Sequence, residues 1–204
     1  MITIGILIFD DAEELDFVGP YEVFTMARAL VEREKLSLGP FEVLLISPAG
    51  KTVKCAKGMR VEPHRVMEDV ASLDVVLVPG GQGTRREVDN RAMLSWIANI
   101  ARGCQWVTSV CTGSFLLAAA GPAHGKRVTT HWASIELLRG RKEAGEVLEN
   151  VRYVCDGNVV TSAGVSAGID MALWVLGQMT SPAFARKVQR AMEYDPAPPY
   201  AAEV

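Results

Sequence analysis

The feature that most constrains the fold is an alternation of short apolar runs with segments of helical periodicity along the whole chain. Residues 2–9 (ITIGILIF) are nearly all apolar, which is typical of a strand buried on both faces of a parallel sheet. Residues 19–34, which begin with Gly-Pro, repeat apolar side chains on one helical face. This alternation predicts a three-layer α/β/α sandwich with a mostly parallel central sheet, built by residues 1–204 as a single domain.

The same patterns continue to the end of the chain. We predict further strands at 41–48, 74–81, 105–110, 126–130, 151–155 and 158–162, with two short extended pieces around 52–62. We predict further helices at 91–102, 113–120, 132–139, 165–178 and 182–193. The Pro-rich segment EYDPAPPY (193–200) cannot continue a helix, so we expect it to run extended along a surface.

A cysteine lies at one of the predicted strand-to-helix junctions. In SVCTGSFLLAAAG (109–121), Cys111 separates an apolar strand from a helix of small residues. Both Cys111 and the Gly80-Gly81 turn fall at carboxyl ends of strands, where reactive groups gather in open α/β sheets. The free N–H groups of the helix would favour a thiolate, and the N–H of Thr112 would face a developing anion. The pattern favours a nucleophile elbow; the alternative is a cysteine packed as a small hydrophobic residue.

Two further stretches place polar groups at the same edge of the predicted sheet. EELDFVGPYEVF (13–24) sets the carboxylate of Asp16 in an otherwise apolar turn after the first strand. Asp16 either caps the following helix or faces a pocket, where desolvation would raise its pKa and let it act as a proton donor. VPGGQG (78–83) supplies flexible backbone at Gly81 and Gln82, whose N–H groups would complete an anion-binding nest.

Composition excludes several classes of protein. Lys and Arg number 21 against 24 Asp and Glu, and no basic block is dense enough to bind nucleic acid or a membrane surface. The N-terminal apolar run is too short for a signal peptide and no stretch reaches the length of a membrane span, so we expect a cytoplasmic protein. The four cysteines and three histidines show no metal-binding spacing. We therefore expect no metal, and we expect Cys55, Cys104 and Cys155 to be structural free thiols.

Taken together, these stretches resemble the ThiJ/PfpI superfamily, whose fold is similar to that of the class I glutamine amidotransferases. The resemblance rests on LDFVGPYEVF, VVLVPGGQG, TSVCTGSFLLAAAG, GKRVTTHW, DGNVVTSAGVSAGIDMAL and VQRAMEYDPAPPY. S-V-C-T-G-S followed by T-T-H-W indicates a branch that contains isocyanide hydratases and the sensor domains of AraC-type regulators. The ending EYDPAPPY is more similar to the hydratases.

Two positions depart from other branches of the superfamily. Protease members carry His directly after the nucleophile, whereas this chain has Thr112, so a Cys-His-Glu peptidase triad is not expected. The glyoxalase and redox-sensing members usually carry Glu where this chain has Asp16, which argues against a redox-sensor role. His131, in the T-T-H segment, lies near the nucleophile in several members. It is therefore a candidate for binding substrate, with a purely structural imidazole as the alternative.

The resemblance implies an isocyanide hydratase, which converts R–N≡C and water to an N-substituted formamide without a cofactor. Cys111 would be the nucleophile that forms a thioimidate, Asp16 the proton donor, and Thr112 their neighbour at the elbow, with Gly81, Gln82 and His131 near the substrate. The alternatives are glyoxalase-like or other thiol chemistry on small molecules, or a stand-alone ligand sensor. The superfamily also implies a homodimer.

Overall fold

The structure, a computed structural model, describes residues 1–196 of the chain. Its strands are β1 (Ile2–Leu7), β2 (Phe41–Ser47), β3 (Val53–Lys54), β4 (Arg60–Val61), β5 (Arg65–Val66), β6 (Val75–Val78), β7 (Trp106–Val110), β8 (Arg127–Val128), β9 (Glu146–Val147), β10 (Tyr153–Asp156) and β11 (Val159–Ser162). Its helices are α1 (Glu14–Glu34), α2 (Thr84–Glu87), α3 (Arg91–Ala101), α4 (Gly113–Ala120), α5 (Ile135–Arg141), α6 (Ala167–Met179) and α7 (Pro182–Ala191). Single turns of 3-10 helix lie at Met67–Asp69 and Trp132–Ser134.

Seven strands form the central sheet in the order β10-β11-β7-β6-β1-β2-β5. Every neighbouring pair is parallel except β10 with β11 at one edge. Helices α1, α6 and α7 pack together in one layer, and α2, α3 and α4 pack together in the other. All residues of β6 are buried because helices cover both faces of the sheet. The predicted three-layer α/β/α sandwich with a mostly parallel sheet is confirmed.

The strand order reverses next to β1. From β1 the chain passes to β2 on one side and later returns to β6 on the other, from which it continues to β7. The carboxyl ends of β1 and β6 therefore flank a crevice, which is where ligands bind in open α/β sheets. The segments that follow β1, β6 and β7 contain Asp16, the Gly80-Gly81 turn and Cys111, so the fold brings these distant parts of the sequence to one place.

Helix α1 begins at Glu14, so the prediction that it starts at Gly19 is wrong. Asp16 consequently lies in the first turn of the helix rather than in a preceding turn, and it is not the N-cap, a position that Glu13 occupies. The Gly-Pro pair lies inside the helix and serves helix packing. A Cβ at Gly19 would lie 2.7 Å from Ile169 Cγ1, so glycine lets α1 approach α6 closely.

Some strands and helices of two to four residues were not predicted. These are β5, β9 and α2, which are too short to show a periodicity. The strand predicted at 126–130 shortens to β8, because the N–H of Thr129 donates to the Thr161 hydroxyl at 2.7 Å instead of extending a ladder. The part of the Pro-rich segment beyond Pro196 lies outside the described residues. Within residues 1–196, no helix is both long and apolar enough to span a membrane.

Candidate active site

Cys111 is the hinge between β7 and α4. Its φ of 56° is in the left-handed region, which a residue other than glycine rarely adopts. The surrounding backbone holds this conformation, because the Cys111 N–H donates to the carbonyl oxygens of Ser162 (3.2 Å) and Ala163 (3.1 Å). The Cys111 carbonyl in turn accepts a hydrogen bond of 2.9 Å from the Thr130 hydroxyl. The predicted strand–cysteine–helix elbow is therefore confirmed as a backbone geometry.

The thiol of Cys111 is buried and faces a carboxylate. Cys111 is 7% exposed, and its side chain lies near enough to Asp16 for the negative charge of Asp16 to act on the thiol. Burial, and after it the negative charge of Asp16, raise the pKa of Cys111 to about 12. The N–H and the hydroxyl of Thr112 favour the thiolate, as the sequence suggested, but their effect is smaller. Burial and the charge of Asp16 therefore outweigh the groups at the helix N-terminus that favour the thiolate.

Asp16 is the other half of this pair. It is 0% exposed, and burial is the largest cause that raises its pKa, to about 7. Hydrogen bonds from backbone N–H groups oppose that effect, whereas the nearby charge of Glu13 adds to it. The direction of this shift agrees with the alternative in which Asp16 faces a pocket. A carboxyl group with this pKa can both accept and donate a proton near neutral pH.

Two backbone N–H groups orient the Asp16 carboxylate. Gly80 donates to Oδ2 at 2.9 Å, and Val165 donates to Oδ1 at 3.1 Å. Val165 holds a φ of 54°, which is strained for a β-branched residue and costs on the order of 1–3 kcal/mol. Neither donor was predicted from the sequence. The available signal was positional, because Gly80 and Val165 both follow strands of the same parallel sheet at its carboxyl edge.

Thr112 connects the elbow to the loop after β6. Its hydroxyl accepts a hydrogen bond of 3.1 Å from the Gly81 N–H and lies 3.0 Å from the Thr84 hydroxyl. The backbone of the loop at Gly80 lies close to the elbow, because a Cβ at Gly80 would lie 2.5 Å from the Thr112 nitrogen. Of the two N–H groups predicted to form an anion-binding nest, that of Gly81 is thus engaged by Thr112, and the N–H of the neighbouring Gly80 is engaged by Asp16.

The side chains of Gln82 and His131 form no hydrogen bond with Cys111 or Asp16 within residues 1–196. Gln82 is exposed, and its side chain makes no hydrogen bond within the described part of the chain. The half-buried His131 accepts a 3.3 Å hydrogen bond at Nδ1 from the Ala133 N–H. Its ring packs on Gly164, where a Cβ would lie 2.2 Å from His131 Cδ2. His131 therefore supports the loop that presents Val165 and makes no hydrogen bond to Cys111 or Asp16.

The other thiols lie outside this arrangement. Cys55 and Cys104 are buried, and burial raises their pKa to about 11 and about 12, respectively. Burial also raises the pKa of the half-buried Cys155. Among residues 1–196, no three His, Cys, Asp or Glu side chains are grouped so that they would hold a metal ion. The chemistry of the site therefore rests on Cys111, Asp16 and the backbone around them.

Two cavities flank the elbow. One of about 160 Å³ is lined by Thr84, Arg85, Val88, Thr112, Phe115, Ser134, Leu137 and Arg141. The other, of about 560 Å³, is lined by Thr130, His131, Trp132, Ile135, Glu149, Asn150, Val151, Arg152, Ala163 and Gly164. Thr112 thus lines the first cavity, and Thr130 and Ala163, which are hydrogen-bonded to the Cys111 backbone, line the second, whereas Cys111 and Asp16 line neither.

Comparison with known proteins gives consistent matches. The profile of the DJ-1/PfpI family matches residues 3–178. An isonitrile hydratase of Pseudomonas putida is 38% identical over 199 residues, which cover 98% of this chain and 81% of the relative. The HTH-type transcriptional regulator GbdR of Pseudomonas aeruginosa is 30% identical over 178 residues, which cover 86% of this chain but only 46% of the regulator. The crystal structure of a ThiJ/PfpI family protein from Pseudomonas syringae superposes with a TM-score of 0.86 at 28% identity, covering 100% of this chain and 79% of the other.

Proposed function

The chain belongs to the DJ-1/PfpI family, and on that premise we propose that it is an isonitrile (isocyanide) hydratase that uses Cys111 and Asp16. The observation that carries the proposal is the buried Asp16 carboxyl, which the N–H groups of Gly80 and Val165 hold beside the Cys111 thiol at the elbow. The similarity to the isonitrile hydratase of Pseudomonas putida supports the choice of reaction. The substrate would be an isocyanide, and the product an N-substituted formamide.

The first step forms a thioimidate. With pKa values of about 7 for Asp16 and about 12 for Cys111, the pair carries one proton near pH 8, as a thiol beside a carboxylate. Asp16 accepts the thiol proton while the sulfur attacks the terminal isocyanide carbon. The negative charge that develops on this carbon is quenched when Asp16 returns the same proton to it. The product is R–N=CH–S–Cys111, and Asp16 is again a carboxylate.

The second step releases the formamide. Asp16 accepts a proton from water while the water oxygen adds to the thioimidate carbon, and Asp16 then passes this proton to the nitrogen. The carbon–sulfur bond then breaks, which gives R–NH–CHO and returns the thiolate. The remaining proton of the water returns to sulfur, so the site ends with a thiol and a carboxylate as it began. The Gly80 N–H binds Oδ2 of Asp16 at 2.9 Å and so keeps the carboxyl group in place throughout this cycle.

A ligand sensor is the second candidate. The similarity to the regulator GbdR favours it, although the match covers less than half of that protein. A sensor would bind a small molecule at the same elbow without converting it. Binding without turnover therefore distinguishes a sensor from an enzyme.

The direct test is to incubate the protein with an aryl isocyanide and to follow formamide formation by chromatography. We expect multiple turnovers, and we expect no turnover in Cys111→Ala or in Asp16→Asn. Cys155→Ala is the matched control, because it removes a half-buried thiol on β10 outside the site. Undiminished turnover in Cys111→Ala, or no turnover of aryl and alkyl isocyanides by the unmodified protein, would refute the proposal. Methylglyoxal, with lactate as the product, tests the glyoxalase-like alternative.

A further inference from the structure

The smaller cavity beside the elbow has a wall that the proposed reaction does not use. Thr112 forms its inner end, directly after the nucleophile in the chain. The remainder is lined with apolar surface by Phe115 on the first turn of α4, Val88 after α2 and the exposed Leu137 on α5. A volume of about 160 Å³ accommodates only a small molecule or a short substituent.

The exposed side chain of Arg85 lies on this wall. Arg85 Nη1 donates to the Gly81 carbonyl at 3.1 Å, which holds the guanidinium at the loop after β6. Arg85 forms no salt bridge with any residue in the range 1–196. Arg141, which lines the same cavity, differs because its guanidinium makes two hydrogen bonds of 2.8 Å to the Glu143 carboxylate. Arg85 is thus the cation of this cavity whose charge is not neutralised within the described residues.

The anchoring of Arg85 also connects it to the elbow. The Gly81 carbonyl receives Arg85, and the Gly81 N–H donates to the Thr112 hydroxyl at 3.1 Å. The guanidinium is therefore two hydrogen bonds away from the residue next to Cys111. Its remaining N–H donors have the planar geometry that binds a carboxylate in a bidentate manner.

We infer that Arg85 binds a carboxylate of the substrate, so that the substrate is a small isocyanide that carries a carboxylate group. The apolar wall at Val88 and Phe115 receives the remainder of the molecule, and the isocyanide group lies towards Thr112, the residue next to Cys111. This inference rests on the proposed function for the reaction, but not for the binding of the anion.

The test compares an acid with its neutral ester. Isocyanoacetate and methyl isocyanoacetate carry the same reacting group, and we expect the unmodified protein to prefer the acid in kcat/KM. Arg85→Gln should lower the ratio of acid to ester about 10- to 100-fold, mainly through the KM of the acid. Arg85→Lys should lower it less. Arg91→Gln is the matched control, because Arg91 is an exposed arginine at the start of α3 that does not line the cavity. A ratio that stays the same in Arg85→Gln would overturn the inference.

A binding measurement separates this inference from the reaction. N-formylglycine, the product expected from isocyanoacetate, is titrated calorimetrically into the unmodified protein and into Arg85→Gln. We expect binding that weakens about 10- to 100-fold in Arg85→Gln and weakens with added salt, whereas the methyl ester of N-formylglycine binds less tightly to the unmodified protein. If the unmodified protein turns over no isocyanide but binds N-formylglycine more tightly than Arg85→Gln does, only the proposed reaction is refuted. Equal affinity of the acid for the unmodified protein and for Arg85→Gln would refute the role of Arg85.

Discussion

The backbone N–H of Val165 donates a hydrogen bond of 3.1 Å to Oδ1 of Asp16, although 149 residues separate the two in the chain. This contact joins the first helix to the loop that precedes α6. Because the Gly80 N–H binds the other carboxylate oxygen at 2.9 Å, both oxygens of Asp16 are held by backbone from different loops. The orientation of the carboxyl group towards Cys111 is therefore set by the fold rather than by neighbouring side chains.

Asp16→Asn should abolish catalysis and at the same time make the thiol more acidic. We expect kcat/KM for isocyanide hydration to fall about 10²- to 10⁴-fold, because the group that transfers the proton is lost. The pKa of Cys111 should fall below its value of about 12, since the charge of Asp16 is the second-largest cause of its elevation. The pH dependence of alkylation by iodoacetamide reports this change. Asp156→Asn, which removes a carboxylate on β10, is the control and should leave both measurements as they were.

Stability should depend on pH through the same carboxyl group. Burial raises the pKa of Asp16 from 3.8 to about 7. Between these values the unfolded chain loses the proton while the folded protein keeps it, so the free energy of unfolding falls as the pH rises from about 4 to 7. The shift corresponds to about 4 kcal/mol at most. Urea denaturation across this range should show a smaller pH dependence in Asp16→Asn, and equal slopes in the two proteins would contradict the assignment.

Gly80→Ala should damage the site more than the fold. A Cβ at this position would lie 2.5 Å from the Thr112 nitrogen and 2.8 Å from Cys111 Cβ, and it cannot avoid the backbone atom. We expect a loss of stability of about 1–3 kcal/mol, as for overpacking elsewhere, and at least a tenfold loss of kcat/KM. In Gly140→Ala, the control on α5, the added Cβ meets no atom within 4 Å, so stability should be unchanged or slightly higher. Unaltered activity in Gly80→Ala would show that the elbow tolerates displacement.

The sequence was sufficient for the architecture and for the placement of Cys111 and Asp16 at one edge of the sheet. Cys111 and Asp16 could be predicted because each follows a recognisable apolar strand, and parallel strands end at one edge. The donors to Asp16 could not be predicted, since a backbone N–H, such as that of Val165, has no signature in the side-chain pattern. The start of α1 was misplaced because Gly19 serves packing against α6 rather than a helix boundary. The protonation state of Cys111 depends on burial, which no local motif reports.

Glu13 and Lys57 should shift the pH profile of catalysis in opposite directions. The proposed mechanism needs Asp16 as a carboxylate, so kcat/KM should rise with pH up to about 7 and then level off. Glu13 raises the pKa of Asp16 through its negative charge, and Lys57 forms a salt bridge with Glu13. Glu13→Gln should therefore move the rise to lower pH, because the repulsive charge is gone. Lys57→Met should move it to higher pH, because the charge of Glu13 is no longer neutralised. Rate profiles measured from pH 5 to 9 at low salt test this pair, and shifts in the same direction would exclude an electrostatic origin.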